Sequence, residues 1–531
     1  MKKTIISALL MSAAICAGAQ NMNDALTFSE NHYEGTARSM ALGNAMTALG
    51  GDLGSIGINP AGSAVSSFSQ FTITPSISVS ALTSSYSPDV FTEHYGALES
   101  SRNHLNMPNI GFNFVWDTYR KHGLRSMAFG LISNTTRNYY DRMSSWGENA
   151  NSSMFQSYAY DAYGYSPDLL NSFSSSAPWD YAVAYQSGLI SRVNGTDDYV
   201  GATEVVSGNP DGSLDFRVPG ILEQSYDRVT SGIKRDIVMN FGMNFDDRLY
   251  LGFNLGLPSI EYALDEKYSE TPVNPGDFSF DYDDLGTVSL SKARKDYSYR
   301  ASSTGIYAKI GLIWIPFQGL RIGAAYQTPT EFEIEEKYQI SGSTEIMRQG
   351  SYDYYDAQSP VGEYAYYLYA PARFNVGAAY TLGRSALVSV DYERANYGRM
   401  RFEDLRYNDD YVDNKTFVET NDYMRNKGAA QSIIRAGVEY KPVQAFAIRG
   451  GYTQMSNSVV DVKAATRSYA FGVGYSSPGS FFMDYVVRMT NHPAEYYSPY
   501  TDCLSDTGDY TPEIRATKNV FDVAVTFGFR F

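Results

Sequence analysis

Cysteine is almost absent from this chain. Of its 531 residues only Cys16 and Cys503 carry a thiol. Cys16 falls in the export leader described below, so one thiol is expected after processing, which excludes an internal disulfide and a cysteine-ligated metal site. Histidine is scarce too. His32, His94, His104, His122 and His492 are the five, and none is paired at a ligand spacing that would hold a haem or a metal. Basic charge is in deficit, with 42 Lys and Arg against 58 Asp and Glu and a net charge of −16. Affinity for phosphate comes from Lys and Arg, so nucleic acid is not an expected partner. Long apolar runs are missing beyond the leader, and nothing approaches the ~20 residues that a membrane helix needs. A nucleophile elbow, a phosphate loop and a zinc motif are all missing, so neither an enzyme nor a cofactor is expected.

Met1 to Ala19 reads as a secretory leader. Lys2 and Lys3 open it, an apolar run covers Ile5 to Ile15, and Ala17-Gly18-Ala19 supplies a small-residue cleavage site. Ile15 stands where a lipid-attachment signal needs a small side chain, which argues against lipidation at Cys16.

What the chain has in abundance is tyrosine, 45 residues, and segments that alternate with period two. Amphipathic rings settle at membrane interfaces. From Phe521 to Phe531 the odd positions are Phe, Val, Val, Phe, Phe and Phe, while the even ones are Asp522, Ala524, Thr526, Gly528 and Arg530. Successive strand residues point to opposite faces, so one face is wholly apolar and the other small or charged. Leu249 to Leu257, Phe374 to Thr381 and Tyr469 to Tyr475 repeat the pattern. Short joints near 117–123, 245–248, 316–319, 382–384, 441–444 and 476–479 alternate with long ones near 81–107, 138–231, 263–298, 341–363, 402–428, 458–465 and 492–516. A barrel with tight turns on one rim and large loops on the other gives this rhythm, and a Greek-key sandwich does not. The expectation is an all-β membrane protein, an antiparallel up-and-down transmembrane β-barrel of about fourteen strands. A short helix is expected near Pro167–Phe173 in the largest loop, and Asp281, Asp283 and Asp284 read as a solvated loop sooner than as a calcium site.

One stretch cannot be part of the wall. Gly35 to Ser66 takes 13 of its 32 residues from glycine and alanine, with Arg38 and Asp52 as its only charges. It lacks the bulk to build a core, so it keeps one shape only if enclosed. The division expected is a leader at 1–19, a lumenal hatch at 20–67 and the barrel at 68–531. Thr36 to Leu49 reads as one helix capped by Thr36 and stopped at Gly50-Gly51. Inward-facing charges, among them Lys309, Asp391, Glu393, Arg435, Glu439, Arg449 and Asp484, read as ion pairs bracing wall and plug; acid–base catalysis at Asp391 or Asp484 is the rival reading.

Gly35-Thr36-Ala37-Arg38, Ala48-Leu49-Gly50-Gly51-Asp52 and Asn59-Pro60-Ala61-Gly62, placed ahead of such a barrel, resemble the FadL/TodX family of outer-membrane transporters for hydrophobic compounds. The resemblance implies an outer-membrane protein that takes up long-chain fatty acid-like or aromatic molecules passively. It implies a hatch blocking the lumen and a sideways exit in the third strand, here Leu124 to Arg137. Arg38 is carried over as a hatch anchor, and Asn59, Pro60, Ala61 and Gly62 as gate residues near that exit. Met40, Met46 and Leu49 are candidates for the ligand pocket or, equally, for packing of the hatch. No proline in the third strand announces a kink. Some relatives are components of a secretion system, so a protein partner held by the outer loops is the alternative.

Overall fold

The computed structural model describes residues 21–531 apart from 175, 212, 283–285, 384, 406–416, 461 and 503–507. The leader with Cys16, Cys503, Asp283, Asp284 and the side chain of Asp281 therefore lie outside the described residues.

Fourteen antiparallel strands close into one barrel. The first strand, Gln70–Ser87, pairs with the last, Glu513–Arg530, from Gln70 opposite Arg530 to Ser87 opposite Glu513. The alternation read from the sequence is the alternation of the wall. In the last strand Phe521, Phe527 and Phe529 are 40%, 38% and 49% exposed, whereas Asp522, Ala524 and Thr526 are 3%, 0% and 0% exposed. An apolar outer face and a small, charged inner one are what lipid on one side and a filled lumen on the other require. The first strand begins and the last ends on the short-turn rim, where Ser69 and Phe531 exchange backbone hydrogen bonds of 3.2 and 3.0 Å. The turn after Phe245 is made by Asp246 and Asp247, both left-handed at φ 55° and 54°. This left-handed pair, closed by the Arg248 N–H donating to the Phe245 carbonyl at 3.0 Å, matches the twist of the strands it joins.

At the other rim the structure differs from the reading of long polar loops. Strands run far past the membrane: Leu222–Phe245 and Leu249–Pro272 have 24 residues each and Gly286–Phe317 has 32. A transmembrane strand needs about 9–11. Above the lipid the outer face no longer has to be apolar, so the period-two signal fades although the ladder continues. Where the ladder breaks, proline often sits at the break: Pro329 between Leu320–Gln327 and Thr330–Arg348, Pro360 after Ser351–Gln358, and Pro371 before Arg373–Leu382. Proline has no N–H to give.

The largest outer segment is a packed subdomain. It carries helices at Met154–Asp161, Pro167–Leu170 and Trp179–Gln186 and two small hairpins. Phe155, Tyr181, Leu189 and Ile190 bury themselves against Tyr268, Leu290 and Ile514 of the tall strands. The helix expected near Pro167 is there, capped by Ser166 through the Leu169 N–H.

Candidate functional site

The hatch is seated on a belt of glycines. Gly242, Gly252 and Gly311 stand side by side on adjacent strands, as do Gly323 and Gly377, and Gly437 and Gly451. A Cβ on Gly252 would lie 2.2 Å from the Pro60 carbonyl carbon, on Gly311 2.0 Å from Asn59 Oδ1, on Gly323 2.1 Å from Thr47 O, and on Gly451 2.2 Å from Gly43 N. Backbone meets wall with no side chain between them. On the remaining sides Met40 and Ala41 pack on Val486 and Ala524, and Leu53 and Ile56 on Ile132. The cross-section of the lumen is therefore filled. We expect Gly252→Val to unseat the hatch: overpacking costs ~1–3 kcal/mol, and planar-bilayer recordings should pass from a closed baseline to discrete openings. A baseline that stays closed would mean that the strand yields instead of the hatch.

The single helix expected over Thr36–Leu49 is shorter. Thr36 caps it as read, accepting from Ser39 N at 3.2 Å, but the helix covers only Ala37–Ala41. Gly43 and Asn44 take left-handed φ values of 62° and 58° and turn the chain. Thr47 N–H is thereby freed to donate to Asp391 at 2.7 Å. A helix at Met22–Ser29 was missed. Its sequence signal is a capping box, in which Asn21 Oδ1 accepts from Asp24 N at 3.2 Å and Asp24 Oδ2 from Asn21 N at 3.1 Å.

The singled-out residues fall in three places. Arg38 Nε reaches Glu439 Oε2 at 3.2 Å, and Glu439 is also held by Arg449 at 2.6 Å, which binds Asp484 at 2.6 Å. Asn59 donates to Thr47 O at 2.6 Å and Leu312 O at 3.0 Å, the Pro60 carbonyl accepts from Asn240 at 2.9 Å, and Ala61 N donates to Asn59 Oδ1 at 3.1 Å. The Gly62 carbonyl accepts from Gly51 N at 2.8 Å. This group lies against the fourth to sixth strands. Met46 and Leu49 pack with Leu42, Ile58 and Ala379 inside the hatch–wall contact. Of the three apolar candidates Met40 alone lines the cavity described next.

Between the hatch and the outer loops lies a cavity of about 930 Å³. Its walls come from hatch residues 21–34, from Ile433, Arg435, Met455 and Arg488 of the tenth to thirteenth strands, and from His104, Arg137 and Tyr140 beside the second and third. Burial raises Asp24 to about 6 and Glu34 to about 8, the latter helped by the charge of Asp522. Burial lowers the imidazoles of His32 and His492, whose rings stack with centroids 5.8 Å apart.

Next to this cavity the wall is incomplete. The second strand, Tyr95–Asp117, and the third, Leu124–Asn138, pair only from Asp117 opposite Ser126 to Asn109 opposite Asn134. Beyond Asn109 the second strand stays on the first, while the third breaks at Tyr139-Tyr140 and resumes as Asp141–Asn149 on the fourth. Among the described residues no ladder crosses this seam. The third strand leans inward instead: Ser80 donates to Asp141, Ser84 to Ser144 O, and Tyr95 to Glu148 O at 2.9 Å. Its freed carbonyls at Thr136 and Thr135 accept from hatch N–H groups of His32 at 2.6 Å and Glu34 at 3.0 Å. Asn106 Nδ2 donates to Glu34 Oε2 at 2.7 Å. The hatch residues at the seam are thus His32 and Glu34. The signal that marks it is in the neighbouring strands: Pro108 follows the last rung, and Pro75 opposes it across a register shift in the first strand.

Beside these hydrogen bonds, a stack of side chains closes the seam. The rings of His104 and Tyr140 lie 3.6 Å apart at 11°, and the Arg102 guanidinium sits 5.0 Å above Tyr140 while donating to Thr230 O.

No family model matches the sequence, and no curated protein matches it. Solved structures do match in shape. A FadL homologue from Pseudomonas aeruginosa aligns over 95% of this chain and 100% of its own, with a TM-score of 0.52 at 10% identity. The toluene transporter TodX of P. putida aligns over 95% and 99%, with a TM-score of 0.47 at 13% identity. At such identity the likeness concerns architecture alone, and in architecture this chain is a FadL-type fourteen-stranded transmembrane barrel, with its N-terminal segment folded inside the lumen.

Proposed function

We propose that this barrel carries hydrophobic small molecules across the outer membrane without energy coupling. A ligand is taken into the cavity above the hatch and leaves sideways through the seam between the second and third strands. The observation that carries this reading is a filled lumen beside a wall whose ladder stops at Asn109–Asn134. A pore for sugars or ions needs a continuous aqueous lumen. An apolar solute needs an exit into lipid instead, and the polar backbone left at such an exit has to be covered; here side chains and hatch N–H groups cover it. The inward charges are spent on the brace: Asp391 holds Thr47 N, and Asp484 holds Arg449. That use favours transport over catalysis.

Radiolabelled naphthalene uptake by intact cells tests the reading. Cells expressing the protein should accumulate the label several-fold faster than cells lacking it, with no gain in maltotriose entry. Equal naphthalene uptake, or entry of the sugar, would overturn it; a protein retained by the outer loops alongside equal uptake would favour the interaction role.

A further inference from the structure

The cavity wall carries many polar and charged side chains, and the cations deep in it already contact acids. Arg137 binds Glu30 at 2.8 Å, Arg228 binds Glu266 at 3.2 Å, Lys518 binds Asp141 at 2.9 Å, Arg488 binds Asp522 at 2.8 Å, and Arg435 binds Glu393, which it shares with Arg373, at 2.7 Å. The remaining lysines of the lining sit at the mouth: Lys427 ends the helix Val418–Lys427, and Lys463 is exposed on a loop. Among the described residues lining the deep part of the cavity, every Lys and Arg already contacts an acid. A carboxylate entering here would have to take a cation from its partner and leave that partner's charge buried, which is costly. Bringing it in unpaired leaves a desolvated charge, which is costlier still. An uncharged head group meets neither penalty. Side chains such as Asn21, Asn31, Asn44, Asn138, Tyr262 and Asn457 line the same space and can exchange hydrogen bonds with hydroxyl or amide groups.

Resting on the uptake reading, we infer that the cavity selects uncharged amphipathic molecules, an apolar body bearing hydroxyl or amide groups, and discriminates against carboxylate anions. The volume of about 930 Å³ suits such a molecule, since ligand sites usually span about 300–1,000 Å³. The acid that sets the selectivity at the hatch is Glu30. It neutralises Arg137, accepts from Ser458 at 2.5 Å, and faces His32 Nε2 at 3.7 Å.

Decanol and decanoate, which differ only in the head group, separate the possibilities. Binding to the full-length protein held in amphipol is measured at pH 8 by competition against a fluorescent alkyl probe. Decanol should bind about tenfold or more tightly than decanoate, the factor expected if only part of the desolvation cost is felt. Glu30→Gln keeps the shape and frees Arg137, so the affinity for decanoate should gain several-fold relative to that for decanol. Decanoate equal to or tighter than decanol in the unaltered protein would overturn the selectivity and leave uptake standing. So would a folded Glu30→Gln protein with no gain for decanoate. Failure of both ligands to bind would overturn the uptake reading along with it.

Discussion

Joining position 104 to position 140 should stop uptake. In a Cys503→Ser background, His104→Cys and Tyr140→Cys are linked by a short reducible bis-thiosulfonate. Naphthalene uptake is expected to drop to that of cells lacking the protein and to return when reductant is added. The reason is the small free energy that closes the seam. Along most of the wall adjacent strands share backbone ladders, but above Asn109–Asn134 no ladder joins the second and third strands, and closure rests on the ring stack, the Arg102 guanidinium and a few side-chain hydrogen bonds such as Tyr95 to Glu148 O. An aromatic stack contributes ~0.5–1.5 kcal/mol, and a partly exposed cation over a ring ~0.5–1 kcal/mol. A gap of a few kcal/mol leaves the open form populated at roughly 0.1–10%, which is enough for passive exit. A covalent link removes that population altogether. The same arithmetic gives the opposite sign for His104→Ala, which should raise uptake by up to about tenfold if ~1.4 kcal/mol of closure is lost. A link between Phe112→Cys and Leu131→Cys, opposite one another within the intact ladder, should change nothing. Full uptake through the protein linked at 104 and 140 would place the exit elsewhere.

The barrel was legible in the sequence because its rule is simple: lipid demands an apolar side chain at every second residue, and Phe521 to Phe529 obey it without exception. The turns were legible for the same reason, since the pattern stops at them. The height of the strands was not. Once a strand such as Gly286–Phe317 leaves the lipid, its outer residues answer only to water, and the text reads as loop although the hydrogen bonds go on. The hatch was visible as a stretch too small to fold alone, yet its complement, the glycine belt, was not. Gly242, Gly252, Gly311, Gly323, Gly377, Gly437 and Gly451 each look like an ordinary small lumen-facing residue, and only the register sets them beside one another in groups. The exit was sought in the third strand, where no proline stands. The residue that ends the ladder is Pro108, on the strand beside it. A ladder needs two edges, and a sequence read strand by strand shows only one. The anchor assigned to Arg38 has its partner in Glu439, and nothing local to position 38 names that partner 401 residues away.

Removing Glu393 should be the most damaging single change inside the barrel. Its carboxylate is shared by two guanidiniums, Arg373 at 3.0 Å and Arg435 at 2.7 Å, and accepts from Asn375 at 3.0 Å. All three charged side chains are within 3% of complete burial. Glu393→Ala leaves two cations facing each other with no counter-charge, and breaking a buried pair this way costs ~3–5 kcal/mol. Those cations also hold the hatch: Arg373 donates to Ser29 O at 2.9 Å, and Arg435 lies 5.4 Å from the centre of the Tyr33 ring. Loss of the carboxylate should therefore lower the urea midpoint of the protein in lipid vesicles and open the lumen to current in the same variant. Glu393→Gln, which keeps the hydrogen bonds and loses the charge, should fall between. Arg38→Ala provides the contrast. Its side chain is about one-fifth exposed, and Glu439 keeps Arg449 when Arg38 is gone. Glu439 is then not stranded, and Asp52 keeps its hydrogen bonds from Thr36 and Gly54, so the cost should be nearer the ~0–1 kcal/mol of an exposed pair. If both variants unfold at the same urea concentration, the brace is not what holds wall and hatch together. The rigidity would then come from the glycine contacts alone, and a Cβ on the belt would be more harmful than a missing charge.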